Sequence, residues 1–213
     1  MAISEDISAP AFQAEIVLDD ALTPLNLYEL FGRTAPLQVD LGCGDGSFLA
    51  ASAAANPGQD FLGVERLLGR TQTACRKIIM GELTNARVLR CDISRAVQSL
   101  LPPGSVDFFH LMFPDPWPKR RHASRRIVTK TFFAFIHQTL APHGTLRITT
   151  DQHDYFRKIE SLAATSPGFV PTVDEQRQSG SSTFEKRFRQ SGTEIYRLVL
   201  RKVSPLRKPL ASH

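Results

Sequence analysis

Residues 113–122 read FPDPWPKRRH. In this stretch one acid, Asp115, and the chain's only tryptophan, Trp117, alternate with Pro114, Pro116 and Pro118. Proline fixes φ near about −65° and biases the residue before it to extended backbone, so the segment is expected to be a stiff platform. A carboxylate beside an indole suits a flat heterocycle, stacked by one and hydrogen-bonded by the other. A nucleobase fits that description; the plainer alternative is a proline-rich turn with Trp117 packed into the core. Lys119, Arg120, Arg121, Arg125 and Arg126 follow, with His122 among them. Charge runs are usually solvated surface, but beside a base pocket they stand where phosphates would lie. A polynucleotide acceptor is the better reading, because a small molecule needs no such strip.

A second group of residues surrounds VDLGCGDGSF. Gly42, Gly44 and Gly46 fall between a strand and a helix, where an α/β sheet binds nucleotides. Ser47 stands where the dinucleotide fingerprint needs glycine. Asp40 and Asp45 would set like charge against a pyrophosphate. A ligand with a positive centre and no phosphate avoids that repulsion, and S-adenosylmethionine, with its sulfonium and ammonium groups, is such a ligand. Glu65, 19 residues past Gly46, is placed to accept the ribose hydroxyls, and Asp92 to meet the adenine amino group. Any one of these acids could be only a polar strand end or a helix cap. Three on successive strand ends beside a glycine loop favour a methyl-donor site.

These residues need elements to hold them at one edge. Five apolar strands are predicted, at 36–42, 60–65, 86–92, 105–113 and 145–151. They alternate with helices at 46–56, 68–83, 93–101, 127–144 and 152–166. On 68–83 the expected apolar side is Leu68, Thr71, Cys75, Ile78, Ile79 and Leu83. A shorter helix at 22–32 precedes them and stops at Gly32. The pattern predicts an α/β, doubly wound, mostly parallel Rossmann-like sheet. Residues 194–203 alternate as an antiparallel C-terminal edge strand. Residues 1–20 are expected to be loosely ordered, 21–203 to form one domain, and 204–213 to be a tail.

With 213 residues, 42% of them hydrophobic, and a net charge of +5, the chain has the composition of an ordinary globular protein with a modest basic excess. Cys43, Cys75 and Cys91 form no C-x-x-C pair and read as small apolar fillers. The histidines have no metal-ligand spacing, so no metal is expected. Neither a secretory signal nor a membrane span is evident, which gives a cytoplasmic expectation.

FPDPWPKRRHASRR, together with TLRITTD and STFEKR, resembles the bacterial tRNA (guanine-N7-)-methyltransferases, over about residues 20 to 202. The resemblance implies a class I enzyme that moves a methyl group from S-adenosyl-L-methionine to N7 of guanine 46 in the tRNA variable loop. It assigns cofactor contacts to Asp40, Glu65, Asp92 and Asp115, with Gly42 and Gly44 in the loop, and makes Asp115 the active-site acid. Lys119, Asp151, Ser182, Thr183, Phe184 and Glu185 fall on its substrate-binding positions, and Arg121 to Arg126 where the family contacts RNA. Ser182 replaces the usual threonine and keeps the hydroxyl; Ser124 replaces a frequent lysine and removes one charge. The partner implied is tRNA, with no obligatory protein partner, the protein being a monomer or homodimer. Two alternatives remain open on the residues: a nucleic-acid adenine-N6 methyltransferase, and a non-catalytic RNA-binding subunit of the same fold.

Overall fold

The computed structural model describes residues 13–18, 23–117, 120–173 and 192–203. An edge strand β1 (Glu15–Ile16) leads to a short helix α1 (Leu27–Phe31). Asn26 caps α1, and Gly32, at φ 69°, ends it by donating its N–H to the Tyr28 carbonyl. From β2 (Leu37–Leu41) strands and helices alternate: α2 (Ser47–Ala55), β3 (Asp60–Val64), α3 (Leu68–Met80) and β4 (Ala86–Leu89). Next come α4 (Ile93–Arg95), continued by wider π turns over Ala96–Leu100, and β5 (Val106–Met112). A 3-10 stretch, Arg120–Arg125, precedes α5 (Lys130–Thr139), β6 (Leu140–Thr150), α6 (His153–Ala164), β7 (Phe169–Pro171) and β8 (Tyr196–Lys202).

The eight strands lie in the order β1-β4-β3-β2-β5-β6-β8-β7, parallel except for the pairings of β8 with β6 and β7. Strand order turns back at β2, which has β3 on one side and β5 on the other. A doubly wound sheet opens a crevice at the carboxyl ends of such a pair. All five residues of β2 and of β3 are buried, as strands covered on both faces must be. Two cores lie on opposite faces of the sheet. Val39, Leu41, Phe109 and Ile148 pack with Phe133 and Ile136 of α5 and Tyr155 and Ile159 of α6. Phe61 and Val88 pack with Leu49 of α2 and with Ala74 and Ile78 of α3.

The doubly wound sheet expected from the alternation is present, with four differences in detail. Glu15–Ile16, inside the segment expected to be loose, pairs with β4. The C-terminal strand is antiparallel but lies one place in from the edge, with β7 outside it. The helix expected to run to Gly144 ends at Thr139, because Pro142 cannot continue a helix; β6 begins at once. On α3 the buried face is Thr71, Ala74, Cys75 and Ile78, while Leu68 and Ile79 are more than half exposed. The face is rotated because Ala74 packs against the backbone of Gly46, where an added Cβ would meet the Ala74 Cβ at 2.5 Å. All three cysteines are buried and unpaired. Among the described residues no helix is long and apolar enough to cross a membrane.

Candidate active site

The loop from β2 to α2 turns on three glycines, Gly42, Gly44 and Gly46, all at positive φ. Gly42 and Cys43 donate their N–H groups to the Val64 carbonyl, at 2.8 and 3.0 Å, which fastens the loop to the end of β3. Glu65 follows that strand end. One of its oxygens accepts the Gly44 N–H at 3.2 Å and the other accepts the Leu67 N–H at 2.9 Å. Each carboxylate oxygen keeps a further lone pair, so Glu65 shapes the loop and can still accept ribose hydroxyls. Asp92 caps α4 through the Ser94 N–H at 2.8 Å and holds its free oxygen at the same edge.

Asp40 is in a different state. It is 2% exposed, and both carboxylate oxygens are buried without a hydrogen-bond partner. Burial, reinforced by the charge of Glu65, pushes its acid up to about 8. The strand pattern explains this: Asp40 alternates with Val39 and Leu41 and faces the same side as Gln38 and His110. His110 spends its Nε2 on the Gln38 amide oxygen at 2.7 Å, so the neighbour across the strand does not satisfy the acid. A carboxylate in this condition is stabilised by an arriving cation. The ammonium group of S-adenosylmethionine would meet that requirement.

Asp45 plays another part. Its carboxylate is paired with Lys77 of α3 at 2.8 Å, and Lys77 also donates to the Ser47 hydroxyl at 2.6 Å. The repulsion expected between Asp45 and a phosphate is thus largely cancelled, and Asp40 alone calls for a cationic ligand at this loop. No local signal in the sequence joins Lys77 to a loop 32 residues away.

Beyond β5 the chain enters the proline segment. Phe113 and Trp117, each followed by proline and therefore expected to be extended, instead adopt φ of 52° and 42°. Left-handed backbone at a non-glycine residue costs about 1–2 kcal/mol, so other contacts must hold it. Phe113 donates its N–H to Thr149 of β6 at 2.7 Å. Arg126 donates Nε to the Pro116 carbonyl at 2.7 Å and a second nitrogen to the Trp117 carbonyl at 3.2 Å, with its guanidinium 5.0 Å over the Tyr155 ring. Arg126, expected at a phosphate, is half-buried and in this structure donates to the carbonyls of the platform. In the 3-10 stretch residues three apart eclipse one another, which brings His122 and Arg125 to one side. Both lie against Trp117, Arg125 at 5.0 Å over the ring and His122 at 5.7 Å, edge-on. Arg121 and Arg125 are exposed.

A cleft of about 790 Å3 collects these groups, within the range of small-ligand sites. Gly42, Glu65 and Asp92 line one part of it, and Asp115, Trp117 and Arg125 another. Asp40 and Gly44 do not line it. Asp151, bonded by the Gln152 amide at 2.8 Å, ends β6 at the same edge without lining the cleft. Arg66 and Arg70, at the opening of α3, also line it, and Arg70 lies 4.0 Å from Glu65. They carried no motif that would have singled them out. Lys119, Ser182, Thr183, Phe184 and Glu185 lie outside the described residues, as does the side chain of Arg120. No group of three or more His, Cys, Asp or Glu that could hold a metal occurs among the described residues.

A glycine loop at the switch point of a parallel sheet, beside a buried acid, fits the donor half of a class I S-adenosylmethionine-dependent methyltransferase. Residues 34–198 match the sequence family described as "Putative methyltransferase". The fold is shared with a solved antibiotic-related methyltransferase, at 18% identity and a TM-score of 0.62 over 86% of this chain and 96% of that one. The tRNA (guanine-N(7)-)-methyltransferase of Geobacter metallireducens is 31% identical over 93% of this chain and 96% of its own length. That of Thermotoga maritima is 34% identical over 84% of this chain and 58% of its own, longer sequence. The chain belongs to the tRNA (guanine-N(7)-)-methyltransferase family.

Proposed function

We infer that this protein methylates N7 of a guanine in tRNA, guanine 46 of the variable loop, with residues 21–203 acting as one catalytic domain in the cytoplasm. The observation that carries the reading is a single cleft that joins the glycine loop, Glu65 and Asp92 to an acid, an indole and an exposed arginine, Asp115, Trp117 and Arg125, beyond β5. S-adenosylmethionine supplies a methyl group on a positively charged sulfur. The N7 lone pair forms the new C–N bond, the C–S bond breaks with its electron pair returning to sulfur, and the positive charge passes to the purine ring. No proton moves, so the protein needs no general base.

What the protein contributes is position and field. Asp40, Glu65 and Asp92, with the Gly42–Gly44 loop, hold the donor. Asp115 stands beside the ring that becomes cationic, where a carboxylate favours the transition state over the neutral ground state. Asp151, Lys119 and the segment Ser182–Glu185 orient the base, and Arg120, Arg121 and Arg125 meet phosphates. Aligning N7 with the methyl group is itself worth several kcal/mol, of the order of 7 or more when geometry is fully enforced. The test is labelled S-adenosylmethionine with unmodified tRNA, followed by reductive cleavage at N7-methylguanine. One cut in the variable loop is expected. Incorporation without cleavage would move the methyl group to another atom, and an adenine product would favour the N6 reading.

A further inference from the structure

Trp117 lines the cleft where the acceptor base is expected to stack, and what lies against it refines that expected role. The Arg125 guanidinium sits 5.0 Å from the centre of the indole. An aromatic face is negative, and indole attracts cations more strongly than the rings of phenylalanine or tyrosine. The wall of the cleft therefore contains a cation site, filled in the free protein by a flexible, exposed side chain. The reaction creates a flat cation at the acceptor end. Guanine enters neutral and leaves as a positively charged purine, the charge having come from sulfur.

We propose that Trp117 is a catalytic residue whose π face stabilises the purine cation as it forms, and that Arg125 occupies this face until RNA binds and draws the guanidinium to a phosphate. The inference rests on the reading of Trp117 as facing the acceptor guanine. Stacking alone would bind substrate and transition state alike and appear in KM. Attraction to a charge that exists only after transfer begins appears in kcat. Arg125 thus has two partners in turn, the indole in the free enzyme and the RNA backbone in the complex.

Because Trp117 is the only tryptophan, growth on fluorinated tryptophans alters this ring and no other. Each fluorine withdraws π density with little change of shape. The expected result is a stepwise fall in kcat across the series, reaching about tenfold, with KM for tRNA nearly constant. Calorimetry gives a readout independent of turnover. In mildly acidic buffer, 7-methylguanosine monophosphate should bind several-fold more tightly than guanosine monophosphate, and fluorination should erode that preference. Arg125→Ala should widen it by vacating the face. Equal kcat across the series, with no preference for the methylated nucleotide, would overturn the proposal. If Trp117→Ala methylates tRNA as well as the native protein does, the acceptor reading itself fails. A Trp117→Ala variant that binds S-adenosylmethionine but is slow, beside a flat fluorine series, would sink the cation role alone.

Discussion

If Asp40 receives the ammonium group of the donor, as proposed, donor binding is coupled to protons. An acid raised from about 4 to about 8 on folding keeps a proton that the unfolded chain has shed, so across that window rising pH weakens the fold. A cation bound to Asp40 needs the carboxylate, so below about 8 its binding expels the proton. Affinity for S-adenosylmethionine should therefore strengthen as pH rises toward about 8, by up to about tenfold per unit. Calorimetry in buffers of different ionisation enthalpy would count the released proton, and Asp40→Asn should bind weakly with a flat profile. A flat profile in the native protein would remove Asp40 from the cation's path. At Asp115 the expectation is kinetic: Asp115→Ala should lower kcat by roughly 100-fold or more, with KM for tRNA little changed, and a change confined to KM would assign it to base binding. Glu65 and Asp92 were legible because each follows an apolar run, whereas Asp40, expected at a strand end, lies inside β2 between Val39 and Leu41. The neutralisation of Asp45 was not, because Lys77 reaches it only through the packing of α3 on α2.

At the scale of elements, the platform after β5 and the 3-10 stretch form one device, closed by Arg126. Arg126→Ala should release the Pro116 and Trp117 carbonyls, and kcat should fall while the dependence of tRNA binding on salt stays as it was. Arg121→Ala and Arg125→Ala should instead each flatten that dependence, by about 0.9 log units for every phosphate left without its arginine. Filter binding across a salt series separates the two behaviours, and a flattened slope for Arg126→Ala would return it to the phosphates. The packing of α2 on α3 is equally specific. Gly46→Ala must place a methyl group on Ala74 at a φ of 72°. The cost expected is about 2–4 kcal/mol, seen as a Tm lowered by about 5–10 °C. An unchanged Tm would mean that the helices move apart freely. Sequence periodicity located these elements well and their ends less well. Phe113 and Trp117 depart from the extended backbone that prolines favour because hydrogen bonds to the Thr149 carbonyl and from Arg126 hold them there.

For the whole molecule, strand order turns back where β2 and β5 part, and the elements on both sides of that point were visible as alternating strands and helices. The position of the last strand was not. Nothing in the alternation of 194–203 says that β8 enters between β6 and β7, since that choice depends on pairings made across the chain, Thr145 with Arg201 and Phe169 with Lys202. This insertion sets an order of events during synthesis. Until Tyr196–Lys202 has left the ribosome, β6 presents an unpaired edge beside β5, and such edges recruit foreign strands. A nascent chain halted before Tyr196 should therefore be bound by chaperones and cut by protease within β6, whereas one extended past Val203 by a linker long enough to bring β8 clear of the exit tunnel should resist. The enzyme gains its finished sheet only when Tyr196–Lys202 has been made.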